Sequence, residues 1–295
     1  RSEMASPLPH GSSPNPRGYT LWLSVTMGLT ALIYGWGMPL GVMTDDSAEF
    51  QTLFVTLGTA HAPGYPLLLL LGKGFSMIPL GEIAWRGTLL STLAGLATVA
   101  LLFRLVWRLT GSAPAAGVAA LSLALSHTFW MQSLLPEAYA LNALFHLILL
   151  LLMERAHRDP TARGRAWMAC AFLTGLAFGN HQTIILFVPV GAAWFLWLEG
   201  RQATGLRWAR LWRATVGATI SGLLGMSVYA ALAIRMNTLG GTLDEAMLLA
   251  RGGDARDLVG VFGPAEILKR CVDFCFYLAF QFPGPGALAA VVGVV

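Results

Sequence analysis

Long apolar runs separated by short polar loops set the pattern of this chain. They cover about Tyr19–Leu40, Trp85–Trp107, Ala113–Leu134, Ala138–Met153, Trp167–Phe178, Thr183–Leu198, Leu211–Ile234 and Leu268–Phe282, and another opens at Gly286. A perpendicular helix needs roughly 20 apolar residues to cross a bilayer, so the pattern predicts a bundle of membrane helices, the shorter ones helped by tilt or polar ends. Tyr19–Leu40 is long for a signal-peptide core and has no small-x-small cleavage site after it, so it reads as a retained helix.

Composition supports this pattern. Hydrophobic residues make up 56% of the 295, charged residues only 12%, and mean hydropathy is +0.63, which excludes an ordinary soluble surface. The formal charge of +4 does not form a nucleic-acid face, because the basic residues stand in loops between apolar runs. Residues 1–18, rich in Ser, Pro and Gly, read as a disordered cytoplasmic tail, and 19–295 as the transmembrane domain. With Arg1 first and an apolar run at Val295, a piece of a longer protein is expected. Cys170, Cys271 and Cys275 lie in apolar surroundings and read as buried small residues.

Arginine orients the bundle. Arg155, Arg158, Arg163 and Arg165 share one loop and Arg201, Arg207, Arg210 and Arg213 another, so both should be cytoplasmic. Counting spans from them puts Gly179–Gln182 and Leu134–Glu137 outside, Arg104 and Arg108 inside, and the loop 236–266 outside. Gly64–Leu80 is apolar but short, interrupted by Gly72-Lys73-Gly74 and stopped at Pro79. Reading it as an external, membrane-surface helix with Lys73 at the headgroups keeps the topology consistent. Residues 41–84 then form one large external loop.

That topology gathers Asp45, Asp46, Glu49, His61, Arg86, His127, Gln132, Glu137, Tyr139, Asn142, Asn180 and His181 on the external side. Polar groups at membrane depth are costly and usually face a cavity, so the gathering points to a site. Thr44-Asp45-Asp46-Ser47-Ala48-Glu49-Phe50 is its centre. A carboxylate there can take a proton from an acceptor hydroxyl while Arg86, His61 and Lys73 hold a phosphate leaving group. Simpler roles exist for each. Asp46 and Glu49 fit a capping box, His61 adjoins a turn, Arg86 can anchor a helix end, and Glu137 after Pro136 can stand in a first helical turn. The acids can alternatively hold a divalent cation, but without a clearly spaced partner ligand no metal or cofactor is expected.

Asp46-Ser47-Ala48-Glu49-Phe50, His61-Ala62-Pro63-Gly64-Tyr65-Pro66-Leu67, Ala84-Trp85-Arg86, Glu137-Ala138-Tyr139-Ala140-Leu141-Asn142 and Gly175-Leu176 through Asn180-His181 occur in that order. This series resembles the bacterial relatives of the transmembrane O-mannosyltransferases, within the GT-C superfamily of glycosyltransferases. The resemblance covers about Asp46 to His181. It departs from the family at Ala48, where glycine is expected, and Ala62, where proline is expected. It implies an all-α, polytopic GT-C-like helix bundle with a large first periplasmic loop carrying membrane-surface helices. It also implies inverting transfer of a sugar, commonly mannose, from a polyprenyl-phosphate carrier to a protein or glycan hydroxyl. Asp46 would be the base, with Asp45 and Glu49 beside it. His61 and Arg86 would lie on the phosphate side, and Tyr65, Glu137, Tyr139, Asn142, Asn180 and His181 would complete the substrate site. The expected location is a bacterial inner membrane, with the site on its outer face. A transporter or lipid flippase is the alternative, but it should place polar groups near mid-membrane between related halves, and no repeat is visible. A non-catalytic envelope scaffold would leave the acidic stretch as a helix cap.

Overall fold

A computed structural model describes residues 16–201 and 208–251, together with 269, 270, 272, 273 and 276. Among these residues the protein is an all-α membrane helix bundle. In order the helices are α1 (Pro16–Gly37), α2 (Asp45–Thr56), α3 (Pro66–Ser76), α4 (Ile83–Thr110), α5 (Ala113–Ala124), α6 (His127–Leu134) and α7 (Ala138–Arg158). They continue with α8 (Arg163–Phe178), a 3₁₀ turn (Gln182–Leu186), α9 (Phe187–Gly200), α10 (Trp208–Met226), α11 (Val228–Thr238) and α12 (Leu243–Ala250).

Four described stretches are long and apolar enough to cross a membrane: Ile83–Thr110, Ala138–Arg158, Gln182–Gly200 and Trp208–Thr238. Three other runs predicted to span fall short of that standard, each for a visible reason. α1 has 22 residues, about 33 Å at 1.5 Å each, but Thr20, Ser24, Thr26 and Thr30 lower its hydropathy. It starts at Pro16, so Pro16–Gly18, read as tail, form its first turn, where proline's fixed φ suits a helix. Ala113–Leu134 is two helices, α5 and α6, instead of one. Ser126 closes the first by donating from Oγ to the Leu123 carbonyl at 2.8 Å, and its own extended backbone starts the second by accepting the Trp130 N–H. α8 has only 16 residues. The runs from Leu268 and Gly286, with Cys271 and Cys275, lie outside the described residues apart from the few named above.

The bundle has two chemically distinct ends. At one, the buried Glu154 of α7 pairs with Arg108 of α4 at 3.1 Å and with Arg158, while Glu199 of α9 pairs with Arg210 of α10 at 3.2 Å and Arg163 of α8 at 3.6 Å. These carboxylates tie together the ends of five helices. They occupy the end that carries the two arginine loops.

The opposite end holds α2, α3 and the first turn of α7. α3 does not cross the bundle: Leu67 near its start donates its N–H to Gly179 after α8, and Ser76 at its finish accepts from Arg86 of α4. Three of its leucines face inward instead, where Leu67, Leu68 and Leu69 join Phe50, Phe54, Leu90 and Leu141 in the main core, while Leu70 is exposed. Gly72, which looks like an interruption, lies under the Phe54 ring, where an added Cβ would come within 2.0 Å of Cδ1. Removing these leucines from water favours the arrangement by roughly 1.5–3 kcal/mol each.

Short helices leave carbonyls open at their C-terminal ends. Here basic side chains fill them. Lys73 Nζ donates to Val55 O at 2.7 Å, and Arg235 of α11 donates to Leu57 O at 2.5 Å and Thr56 O at 2.9 Å, so two cations close the end of α2. Arg86 donates to Ser76 O, Leu80 O and Gly81 O at 2.7–2.9 Å and thereby ties down the turn after α3.

α8 and α10 meet backbone to backbone. A Cβ at Gly175 would stand 2.1 Å from Gly222 O, and one at Gly225 would stand 2.1 Å from Phe172 O. Small residues permit such an approach between membrane helices. Gly175→Leu should therefore cost about 1–3 kcal/mol and lower the thermal midpoint of detergent-purified protein; an unchanged midpoint would refute the close contact. Arg86→Ala should cost about 2 kcal/mol by stranding three carbonyls, whereas a side chain serving only a ligand would leave the ligand-free midpoint unmoved.

Candidate functional site

α2 begins one residue after the extended Thr44, with Asp45 in left-handed backbone geometry at φ 56°. Thr44 makes no side-chain cap, and Asp46 stands inside the first turn, so the capping-box reading does not hold here. The described chain has that motif elsewhere, at Thr242 and Glu245. The carboxylates of α2 are therefore not spent on their own helix. Asp46 is exposed, and negative charge in a first turn is favoured by the helix dipole.

Glu49, one turn further on, reaches the His61 loop. Its Oε1 accepts the His61 backbone N–H at 2.8 Å and its Oε2 stands 2.6 Å from His61 Nδ1, so one carboxylate fixes both the loop and the imidazole. Among the described residues, Asp46, Glu49 and His61 each offer a ligand atom, and these atoms all lie within 4.8 Å of one another. That set could hold a hard divalent cation as well as it orients a base.

Ser47 faces the other way and is buried. Its hydroxyl donates to Glu137 Oε1 at 2.9 Å and locks α2 to the start of α7. Burial raises the Glu137 pKa, the Ser47 hydrogen bond opposes this, and the negative charge of Asp46 and Glu49 raises it further. Glu137 is thus prone to keep a proton that an exposed glutamate would lose. Gln51 completes the attachment: it accepts from Met43 N at 2.9 Å and donates to Ala84 O at 3.1 Å, joining the loop before α2 to the start of α4.

Aromatic rings line the space beside the acids. Tyr65 lies 5.1 Å from both Phe50 and His61 and 6.3 Å from His181, and Tyr139 lies 5.3 Å from His181. Tyr65 is itself left-handed, φ 44°, an uncommon geometry for a bulky residue that presents its ring to this group. Burial, followed by Tyr139 and the nearby carboxylates, pushes its hydroxyl up to about 12, so it stays a neutral donor. Asp46, Glu49, His61, Tyr65, Glu137, Tyr139 and His181 are thus brought into one group, with Asp45 exposed at its edge.

Five other candidates have local structural duties. Arg86 is held by the carbonyls of Ser76, Leu80 and Gly81, and Asn180, fully buried, donates from Nδ2 to Ala138 O at 3.0 Å. Lys73 reaches the end of α2, where the sequence reading placed it at the headgroups. Asn142 donates to Thr183 Oγ1 at 3.2 Å and stands with His146, whose Nδ1 meets the Asn142 carbonyl at 2.8 Å. His127 packs against Trp130, centroids 6.5 Å apart. Ser47, Thr183 and His146 were not singled out in the sequence. For His146 a signal existed: it follows Asn142 by four, the spacing of neighbours on one helix face.

The family described as the protein O-mannosyl-transferase TMEM260 N-terminal domain matches residues 46–204, a span that starts at the second residue of α2. The chain is similar to the protein O-mannosyl-transferase TMEM260 of Mus musculus, 35% identical over 169 residues, covering 56% of this chain and 24% of the relative. It is also similar to the protein O-mannosyl-transferase tmem260 of Dictyostelium discoideum, 25% identical over 219 residues, covering 69% of this chain and 26% of the relative. The chain thus spans about a quarter of each relative's length. No solved structure matches it significantly. By the match over 46–204, the chain belongs to the TMEM260 N-terminal domain family.

Proposed function

We propose that this chain carries the catalytic end of an integral-membrane, GT-C-type glycosyltransferase. In this reading it moves a sugar, mannose by the names of its relatives, from a polyprenyl-phosphate carrier to a hydroxyl of a protein acceptor. The observation that carries the proposal is the exposed Asp46 carboxylate, one turn from a Glu49–His61 pair and beside a row of aromatic rings, at the bundle end away from the arginines. Such a one-sided site suits an enzyme meeting its acceptor at the membrane surface better than a transporter, whose polar groups should lie at mid-depth. By the arginine rule this end faces away from the cytoplasm, which is the periplasm in a bacterial inner membrane.

The chemistry follows from the groups present. Asp46 takes the proton of the acceptor hydroxyl as that oxygen attacks the anomeric carbon. The bond from that carbon to the phosphate oxygen breaks, its electron pair stays with the phosphate, and a single displacement inverts the anomeric configuration. Glu49 holds the His61 loop and ring in place at the rim. The faces of Tyr65 and Tyr139 offer apolar surface for the sugar ring, while their hydroxyls can bond its hydroxyls. Glu137, bonded to Ser47, holds the start of α7 against the helix that carries the base.

No metal takes part in this scheme. Chelation with EDTA should leave transfer by the full-length enzyme unchanged; loss of activity restored by Mg²⁺ or Mn²⁺ would instead assign Asp46, Glu49 and His61 to a cation. Asp46→Asn should lower kcat by about 10²–10⁴-fold in an assay with polyprenyl-phosphate mannose, while leaving carrier binding intact. Full activity in that variant would remove Asp46 from the mechanism.

A further inference from the structure

The reading above needs a place for the carrier's phosphate, and the cations first considered for it are engaged elsewhere. Arg86, Lys73 and Arg235 donate to main-chain carbonyls, and His61 Nδ1 is paired with Glu49. A second polar group lies across the tyrosines from the acids. There the Thr183 backbone N–H donates to His181 Nδ1 at 3.3 Å, and the Thr183 hydroxyl, which accepts from Asn142, stands 2.7 Å from the same nitrogen. With Nδ1 accepting, the proton of neutral His181 belongs on Nε2, which has no partner among the described residues. The Asn142 carbonyl can only accept, so it places a proton on Nδ1 of His146 and leaves Nε2, which bonds a phosphate oxygen once it too is protonated. Burial, and then His146, lowers the His181 pKa, so an unliganded His181 is inclined to be neutral and an arriving anion would supply the missing counter-charge.

A large apolar cavity begins beside this pair. The Phe187 ring meets His146 edge-on at 6.0 Å and is also a wall of a cavity of about 420 Å³ between α7, α8, α9 and α10. Ile185, Val188, Phe178 and Met153 continue that wall, and Arg163 marks its far end. The volume lies within the range of about 300–1,000 Å³ usual for small-molecule sites, enough for only the first part of a long hydrocarbon.

We infer that His146 and His181, steadied by Asn142 and Thr183, form the phosphate site of a polyprenyl-phosphate donor whose first isoprene units enter the cavity behind Phe187. This inference rests on the glycosyltransferase reading and deepens it. The order of groups then matches an in-line displacement: Asp46 on the acceptor side, Tyr65 and Tyr139 around the sugar, and the two imidazoles on the leaving phosphate. Neither His61 nor Arg86 is needed as a phosphate ligand.

The test uses the full-length protein in lipid nanodiscs, titrated with a polyprenyl monophosphate that carries no sugar. Wild type and Asp46→Asn should bind it alike, and the His146→Gln/His181→Gln double variant should bind about tenfold or more weakly. Failure of wild type to bind any polyprenyl monophosphate would bring down the donor reading itself. Binding by wild type and equal binding by the double variant would bring down this inference alone. The phosphate-free polyprenol should bind wild type and the double variant equally; an equal loss of both ligands in the variant would overturn the assignment of the histidines to the phosphate. With unaltered protein, a diazirine on the first isoprene unit should crosslink to residues 185–188, and crosslinks confined to α2 and α3 would overturn the cavity assignment.

Discussion

The acidic end depends on a constraint of backbone chemistry: helices of eleven and twelve residues leave terminal carbonyls with no following turn to satisfy them. Lys73, Arg86 and Arg235 do this with charged donors, which bind carbonyls more strongly than neutral ones. Positive charge at the C-terminus complements the helix dipole, while Asp45 and Asp46 complement it at the N-terminus. The carboxylates at the site and the cations far from it are thus parts of one electrostatic arrangement along a single short helix.

Side-chain hydrogen bonds fix where that helix lies. Ser47 to Glu137 and Gln51 to Ala84 join it to the starts of α7 and α4, the two long spans whose other ends are joined through Glu154. α2 is therefore referenced to the rigid part of the bundle and not to a loop. The role proposed for Asp46 requires such a fixed position, which this connection would supply. Buried carboxylates such as Glu154 and Glu199 contribute less to net stability than their short contacts imply, because desolvation offsets much of the attraction. Their effect is chiefly to hold a particular register of helices.

Much of this was legible in the chain. The apolar runs indicated a helical membrane bundle, and the two arginine loops together with the short Gly64–Leu80 segment separated an acidic end from a basic one. The ordered motifs from Asp46 to His181 marked the residues that gather. What stayed hidden depended on non-local partners. Arg86 and Lys73 look like free cations in a sequence, because nothing local says that carbonyls ten or eighteen residues away lack donors. The break at Ser126 was equally quiet, since serine within an apolar run is compatible with an unbroken helix and its bond back to Leu123 decides the matter. The pairing of Asn142 with the hairpin at Thr183 required α7 and the end of α8 to meet, which composition cannot express.

The glycine seam between α8 and α10 has a consequence for the cavity that those helices share with α9. Two walls in backbone contact cannot part without losing that contact, so a change in the width of the cavity falls to the other two, α7 and α9. That helix enters through the 3₁₀ turn Gln182–Leu186, whose hydrogen bonds are poorer in geometry than those of an α-helix and yield more readily. The same turn begins two residues after Asn180, which anchors the hairpin, and contains Thr183, which steadies His181. Movement of α9 to admit a longer or bulkier apolar chain would thus be transmitted to the imidazole beside the tyrosines, coupling the fit of a lipid tail to the polar groups at its head.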